Sequence, residues 1–199
     1  TGGSKVSIKA ACVADAFVEG SSKMGKHKYL ILAQSGGYAK KRSLLKFDLS
    51  GVPKGKKVST ATMKVYVDYW HVPSSVASKE PAIARPIEVF SVLKAWTESG
   101  VTSSATGTGA KWSKKLLATD DTDAANASAD TQTWAAGSKG WKSFDVTALA
   151  QLWVSDPTKN HGVLLKAQNE DKKGREPRCW SRDAVGKAAF APHLTVQYQ

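Results

Sequence analysis

Apolar and polar residues alternate with a period of two through much of the chain, the rhythm of a strand that buries one face. In Lys5 to Val13 the residues Val6, Ile8, Ala10 and Cys12 share a face, and in Ser43 to Leu49 the residues Leu45, Phe47 and Leu49 do. The spacing recurs in Met63, Val65, Val67 and Tyr69, in Ile87, Val89, Ser91 and Leu93, in Val163, Leu165 and Ala167, and in Leu194, Val196 and Tyr198. Weaker segments at Tyr29 to Gln34, Trp141 to Val146 and Cys179 to Asp183 extend the set. Strands in this number bury their apolar faces by stacking two sheets. The pattern therefore predicts an all-β fold, an antiparallel two-sheet β-sandwich (jelly roll).

Helical spacing occurs once, at Val146 to Asp156, where Leu149, Leu152 and Trp153 align and Asp145 or Thr147 can cap the start. Turns are predicted at Ser50 to Gly55 and at Asp156 to Asn160. Nothing resembling a linker divides the chain, so residues 1–199 read as one domain. Residues 97 to 140 have no sustained period and are dominated by Thr, Ser, Ala, Gly and Asp. Loops beyond about 12–15 residues are uncommon inside compact domains, so this stretch reads as a functional loop or a poorly ordered one. Lys111-Trp112-Ser113-Lys114-Lys115 within it could lie over a binding face, although Trp112 pinning the loop to the sandwich is the simpler expectation.

At 199 residues and 41% hydrophobic the chain can bury a core. It contains no apolar run near the roughly 18 residues of a membrane helix, and a soluble domain is expected. Thr1-Gly2-Gly3-Ser4 lacks the marks of a secretory signal and reads as the start of a processed or excised piece. The 29 Lys and Arg exceed the 17 Asp and Glu by +12, which calls for an anionic partner without saying which.

Catalytic motifs are scarce. His27, His71, His161 and His193 have no zinc-ligand spacing, and no nucleophile elbow, Walker A loop or dinucleotide fingerprint occurs. Carboxylate pairs for glycoside chemistry meet only in space, but Asp15, Asp48, Asp145 and Asp183 read as turn or cap residues. No catalytic residue and no cofactor is assigned. A structural calcium is the one ion considered, with Asp120-Asp121-Thr122-Asp123 and the pair Asp15 and Glu19 as weak candidates against the reading of solvated acidic loops. Cys12 and Cys179 both point inward, and a bridge and two buried thiols are equally open.

The outward positions carry more information. Opposite the core, Lys40, Arg42, Leu44, Lys46 and Asp48 share a face, as do Lys166 and Gln168 beside Leu164, Arg178 with Trp180 and Arg182, and Lys64 with Tyr66, Asp68 and Trp70. Two or three of these rows in one sheet would make a basic face bearing aromatic rings. Arg and Lys donate charge-assisted hydrogen bonds to carboxylates, and sugar rings stack on Trp or Tyr, so the face suits a chain of acidic sugars. The opposing expectation is that outward Lys and Arg only solvate the surface and protect edges.

Several ordered segments carry a resemblance. Asp15-Ala16-Phe17-Val18, the run Arg42 to Ser50 with Val52-Pro53, Trp96-Thr97-Glu98 with Val101-Thr102, Trp141 to Thr147 with Trp153, Asn160 to Lys166, Ser181-Arg182-Asp183-Ala184 and Pro192 to Val196 resemble the domain known by its DNRLRE signature. That group includes the family 96 carbohydrate-binding modules and the disaggregatase-related proteins. The resemblance implies a jelly-roll module appended to polysaccharide-active enzymes and surface proteins, with alginate as ligand. It also implies a role for the positions matching the recurrent basic residues, Arg42, Lys46, Lys166 and Arg182. The chain departs from the pattern at Ser103, Cys179 and Asp183, where tryptophan, an aromatic residue and glutamate are usual.

Together these readings predict a non-catalytic carbohydrate-binding module for an acidic polysaccharide, alginate or another polyuronate or a sulfated glycan. The candidate binding residues are Arg42, Lys46, Lys166, Arg182, Trp180, Lys40, Arg178 and Gln168. The chain is expected to be a monomer, secreted or at the cell surface, tethered to a catalytic domain, and to bind neither nucleic acid nor membrane. The alternatives are a structural matrix module with diffuse affinity for anionic polymers and a polysaccharide lyase.

Overall fold

The computed structural model describes residues 5–33, 39–72 and 80–199. Thr1 to Ser4 and Gln34, which entered the sequence reading, lie outside these residues. Among the described residues there are ten strands: β1 (Val6–Val18), β2 (Tyr29–Ile31), β3 (Arg42–Phe47), β4 (Val58–His71), β5 (Arg85–Ser91), β6 (Asp130–Trp134), β7 (Gly140–Asp145), β8 (Val163–Ala167), β9 (Glu176–Trp180) and β10 (His193–Tyr198). All pairings between these strands are antiparallel.

The strands form two layers joined through β1. Its first half pairs with β10, and after a register shift between Cys12 and Ala14 its second half pairs with β3. An extra residue at a bulge bends and twists a strand, which lets β1 turn the corner from one sheet to the other. The first sheet contains β2, β9, β4, β7, β10 and the start of β1; the second contains the end of β1, β3, β8, β5 and β6. Between them lies a core that includes Leu45, Phe47, Met63, Val65, Val67, Ile87, Val89, Val163, Leu165, Leu194 and Val196. The alternation thus predicts the β-sandwich correctly.

The departures have local causes. β4 shifts register between Val67 and Tyr69, so Trp70 turns into the core while Tyr69 joins the outer face, the reverse of the sequence expectation. Val6 and Leu93, expected inward, are 44% and 43% exposed at or just beyond the ends of their strands. Helix α1 (Thr147–Ser155) forms where predicted, and the Asp145 carboxylate accepts the Thr147 N–H at 2.9 Å. It buries Ala150, Trp153 and Val154, whereas Leu152 is on its exposed side.

Residues 97 to 140 are ordered and perform a structural task. Strand β6 occupies part of them and pairs with β5. The remainder covers the outer face of the second sheet, where Leu44, Phe90 and Leu164 pack against Val92, Trp96, Val101, Trp112, Leu117 and Ala124. Trp112 is 5% exposed and donates its indole N–H to the Thr102 carbonyl at 3.0 Å, so it pins the cover as expected. Trp96 donates to the His161 carbonyl at 2.8 Å. Next to His161, Gly162 has φ +80°, and a Cβ there would collide with the Leu45 carbonyl, so this crossing requires glycine.

Cys12 and Cys179 are unbridged and buried in the core. Burial pushes both thiols above their ordinary range, aided at Cys12 by the Asp15 charge, so both act as small hydrophobes.

Candidate functional site

The two sheets present different outer faces. The second is apolar at its centre and covered; the first is open over β4, β7 and β10, while at its β2 end Tyr29 and Ile31 are buried with Phe17 and packed against Met24. On the open face, cross-strand register sets Lys64 beside Ser143 and His193, Tyr66 beside Trp141, and Thr62 beside Thr195 and Asp145. Farther along, Tyr29 pairs with Trp180 and Tyr69 with Arg178.

These residues form two aromatic groups. In one, Tyr29 stacks on Trp180 with ring centroids 4.5 Å apart, and Tyr69 meets Tyr29 edge to face at 5.4 Å. Arg178 lies 5.9 and 5.6 Å from the Tyr29 and Tyr69 rings and donates to the Tyr69 hydroxyl at 3.0 Å. The Lys187 ammonium sits 5.2 Å from the Trp180 ring. In the other group, Tyr66 contacts Trp141 at 5.3 Å and Phe190 at 4.5 Å, and Trp141 contacts His193 at 5.0 Å. The turn carrying Lys187 and Phe190 touches both groups. Trp141 is 39% exposed, while Tyr66 and Trp180 are half-buried.

The charge on this face is mainly positive. Lys9, Lys28, Lys64, Arg178 and Lys187 stand against Asp68, Asp145 and the buried Glu176, which pairs with Arg178 at 3.7 Å; Tyr29 donates its hydroxyl proton to Asp68 at 3.0 Å. Burial, aided by Arg178 at His71 and by Lys9 and Lys64 at His193, moves both imidazoles below their ordinary value, so they are neutral at pH 7. Cations held by aromatic rings and cross-strand neighbours are preorganised to meet anionic groups on a ligand.

The residues proposed from sequence are distributed over both sheets. Arg178 and Trp180 lie on the open face. Arg42, Lys46 and Lys166 belong to β3 and β8 of the covered sheet. Arg42 gives a bidentate pair to Glu170, with Nε 3.0 Å from Oε2 and Nη2 2.6 Å from Oε1, and its Nη1 reaches the Leu116 and Leu117 carbonyls at 2.7 Å each. It clamps the cover onto the sheet. Lys166 lies 5.8 Å from the Phe90 ring and opposite Glu88, Lys40 pairs with Asp171, and Gln168 is exposed beyond β8. Lys46 lines a groove of about 460 Å³ with Val13, Pro53 and Trp153, away from the aromatic groups.

Arg182, beyond β9, grips Glu98 through Nε at 2.9 Å and Nη2 at 3.1 Å. Asp15, read from sequence as a turn or cap residue, is instead buried in β1 and accepts the Arg182 backbone N–H at 2.8 Å. Burial, with the Glu98 and Asp183 charges against the Arg182 N–H, raises its carboxyl to about 7. Asp123, of the acidic loop considered for calcium, is fully buried and occupied by protein donors: the Ser113 hydroxyl at 2.7 Å, the Ser113 and Ala118 N–H groups at 2.9 Å, and Lys94 at 2.7 Å. It ties the cover together. Asp48 does fill the predicted turn role, accepting the Ser50 N–H at 2.9 Å.

Trp141, Tyr69, Lys187, Phe190 and His193 were absent from the sequence-derived site. Trp141 alternates within β7 and could have been found from that pattern; Tyr69 was hidden by the bulge, and Lys187 and Phe190 by lying in an irregular segment.

The fold and the open face define a β-sandwich domain with one sheet covered and the other largely open. The chain belongs to the disaggregatase related repeat domain family, whose sequence profile matches residues 17–191.

Proposed function

We propose that the protein is a non-catalytic module that binds an acidic polysaccharide, alginate foremost, along the open face of the first sheet. The observation that carries this reading is the uncovered track of rings and cations from Arg178, Trp180 and Lys187 to Tyr66, Trp141 and Lys64. Ring faces accept the apolar sides of successive sugars, while Arg and Lys pair with their carboxylates. The Thr and Ser side chains between them supply hydroxyls for further hydrogen bonds. Bound in this way at a secreted or cell-surface location, the module holds a tethered catalytic domain at its substrate by raising effective concentration.

Affinity electrophoresis against alginate, pectate, hyaluronan, heparin, carrageenan and a neutral glucan tests the proposal. Alginate should retard the chain most and the neutral polymer not at all, and Trp141→Ala with Trp180→Ala should abolish retardation in a folded protein. Equal retardation by every anionic polymer, unchanged in that double variant, would mean diffuse charge adhesion and would overturn it.

A further inference from the structure

A second site lies at the junction of β1, the cover and the segment after β9. Asp15, Glu98 and Asp183 each bring a carboxylate oxygen within 4.8 Å of the others. Oxygens around one calcium ion, at 2.3–2.6 Å from it, have separations up to about this value. Three acidic groups together are often only an ion-pair network, and two cations do stand here. Arg182 holds Glu98 from one side, while Lys26 bridges Glu98 and Asp183 at 3.3 Å from each.

That network leaves two buried oxygens unused. Asp15 is 1% exposed; its Oδ2 accepts the Arg182 N–H, but its Oδ1 has no hydrogen-bond partner. Asp183 Oδ2 is likewise buried without a hydrogen bond, with Arg182 Nε 3.9 Å away. A buried carboxylate oxygen lacking a donor is unfavourable, and a cation is the ligand that relieves it. Lys26 is 70% exposed in its side chain, so its ammonium can move into water at little cost and open the mouth of the cluster.

We propose that Asp15, Glu98 and Asp183 form a divalent-cation site suited to calcium, entered by displacement of the Lys26 ammonium. The donors are all oxygen, which suits a hard cation, and the open side leaves room for waters to complete a high coordination number. Magnesium fits less well because it demands a closer octahedral shell. The ion ties β1, the cover and the end of β9 to one another, and its role is independent of polysaccharide binding on the open face.

Calorimetric titration of the chelator-treated chain with calcium chloride, alongside thermal unfolding with and without the ion, tests this. Saturable binding of one ion is expected, with a Tm that rises with calcium concentration and a weaker response to magnesium. Asp183→Asn, partly exposed and so tolerable in the fold, should weaken binding at least tenfold. Lys26→Met should strengthen it several-fold, because a competitor is removed. Absence of saturable binding in both the wild type and Lys26→Met would overturn the site, as would undiminished binding in Asp183→Asn. Equal or weaker binding in Lys26→Met would overturn entry by displacement.

Discussion

Replacing Arg42 by Met separates a structural clamp from a ligand-binding residue. Arg42 and Glu170 have side chains only 12% and 6% exposed, and the guanidinium makes two bonds to the carboxylate and two to carbonyls of the cover. Those carbonyls belong to Leu116 and Leu117, both in the left-handed region at φ 67° and 63°, a conformation that persists for non-glycine residues only when surroundings hold it. Removing one partner of a buried ion pair costs about 3–5 kcal/mol, because the other charge is left uncompensated. For a chain of this size, each kcal/mol lowers Tm by about 2–4 °C, so Arg42→Met should melt about 6–20 °C below the wild type. Thermal unfolding measures this, and Glu170→Gln in the same background should restore part of the loss. At a temperature where both proteins are folded, alginate affinity should be nearly unchanged. A variant that keeps its Tm within about 2 °C yet loses alginate binding would show that Arg42 contacts the ligand and is no clamp.

The other consequences concern the cover, the charge and acid. Trp112→Ala removes the ring that anchors the cover and should cost about 3–5 kcal/mol, seen as a lower midpoint in denaturant titration. Asp123 is buried, which alone would raise its carboxyl, but Lys94 and the N–H groups of Ala118 and Ser113 take it well below the ordinary value. Its folded-state pKa is therefore depressed, so its contribution to stability is present above the unfolded value near 4 and is lost as pH falls through the acid range. Asp123→Asn should flatten the wild-type loss of Tm between about pH 5 and pH 2 while lowering Tm at neutral pH. Alginate affinity should fall as ionic strength rises, since the cations of the open face are screened by salt, and calorimetry at low and high salt measures it.

Much of the sandwich was legible because Met63, Val65 and Val67 or Leu194 and Val196 bury one face at every second position. The reversal at Tyr69 and Trp70 was not, because a bulge is decided by pairing with β9, over a hundred residues away. The cover was equally opaque: Trp96, Trp112 and Leu117 are spaced by turns and side-chain hydrogen bonds rather than by a period. On the site, Arg178 and Trp180 could be placed because they alternate with the buried Cys179. Arg42 stood outward by the same logic, yet its partner Glu170 lies 128 residues away, and alternation says nothing about what covers a face. Outward position identifies a candidate; only the tertiary packing separates a surface residue from one facing a second layer.

Which sheet face meets the polysaccharide decides the proposed function, and the chain's seven tryptophans make that directly measurable. Titration of isotope-labelled protein with alginate oligosaccharide, followed by the indole N–H resonances, reads each ring separately. The Trp141 and Trp180 signals should move with saturation, while those of Trp96 and Trp112, enclosed under the cover, stay in place. Movement of Trp96 and Trp112 with Trp141 and Trp180 stationary would place the polysaccharide on the covered sheet instead.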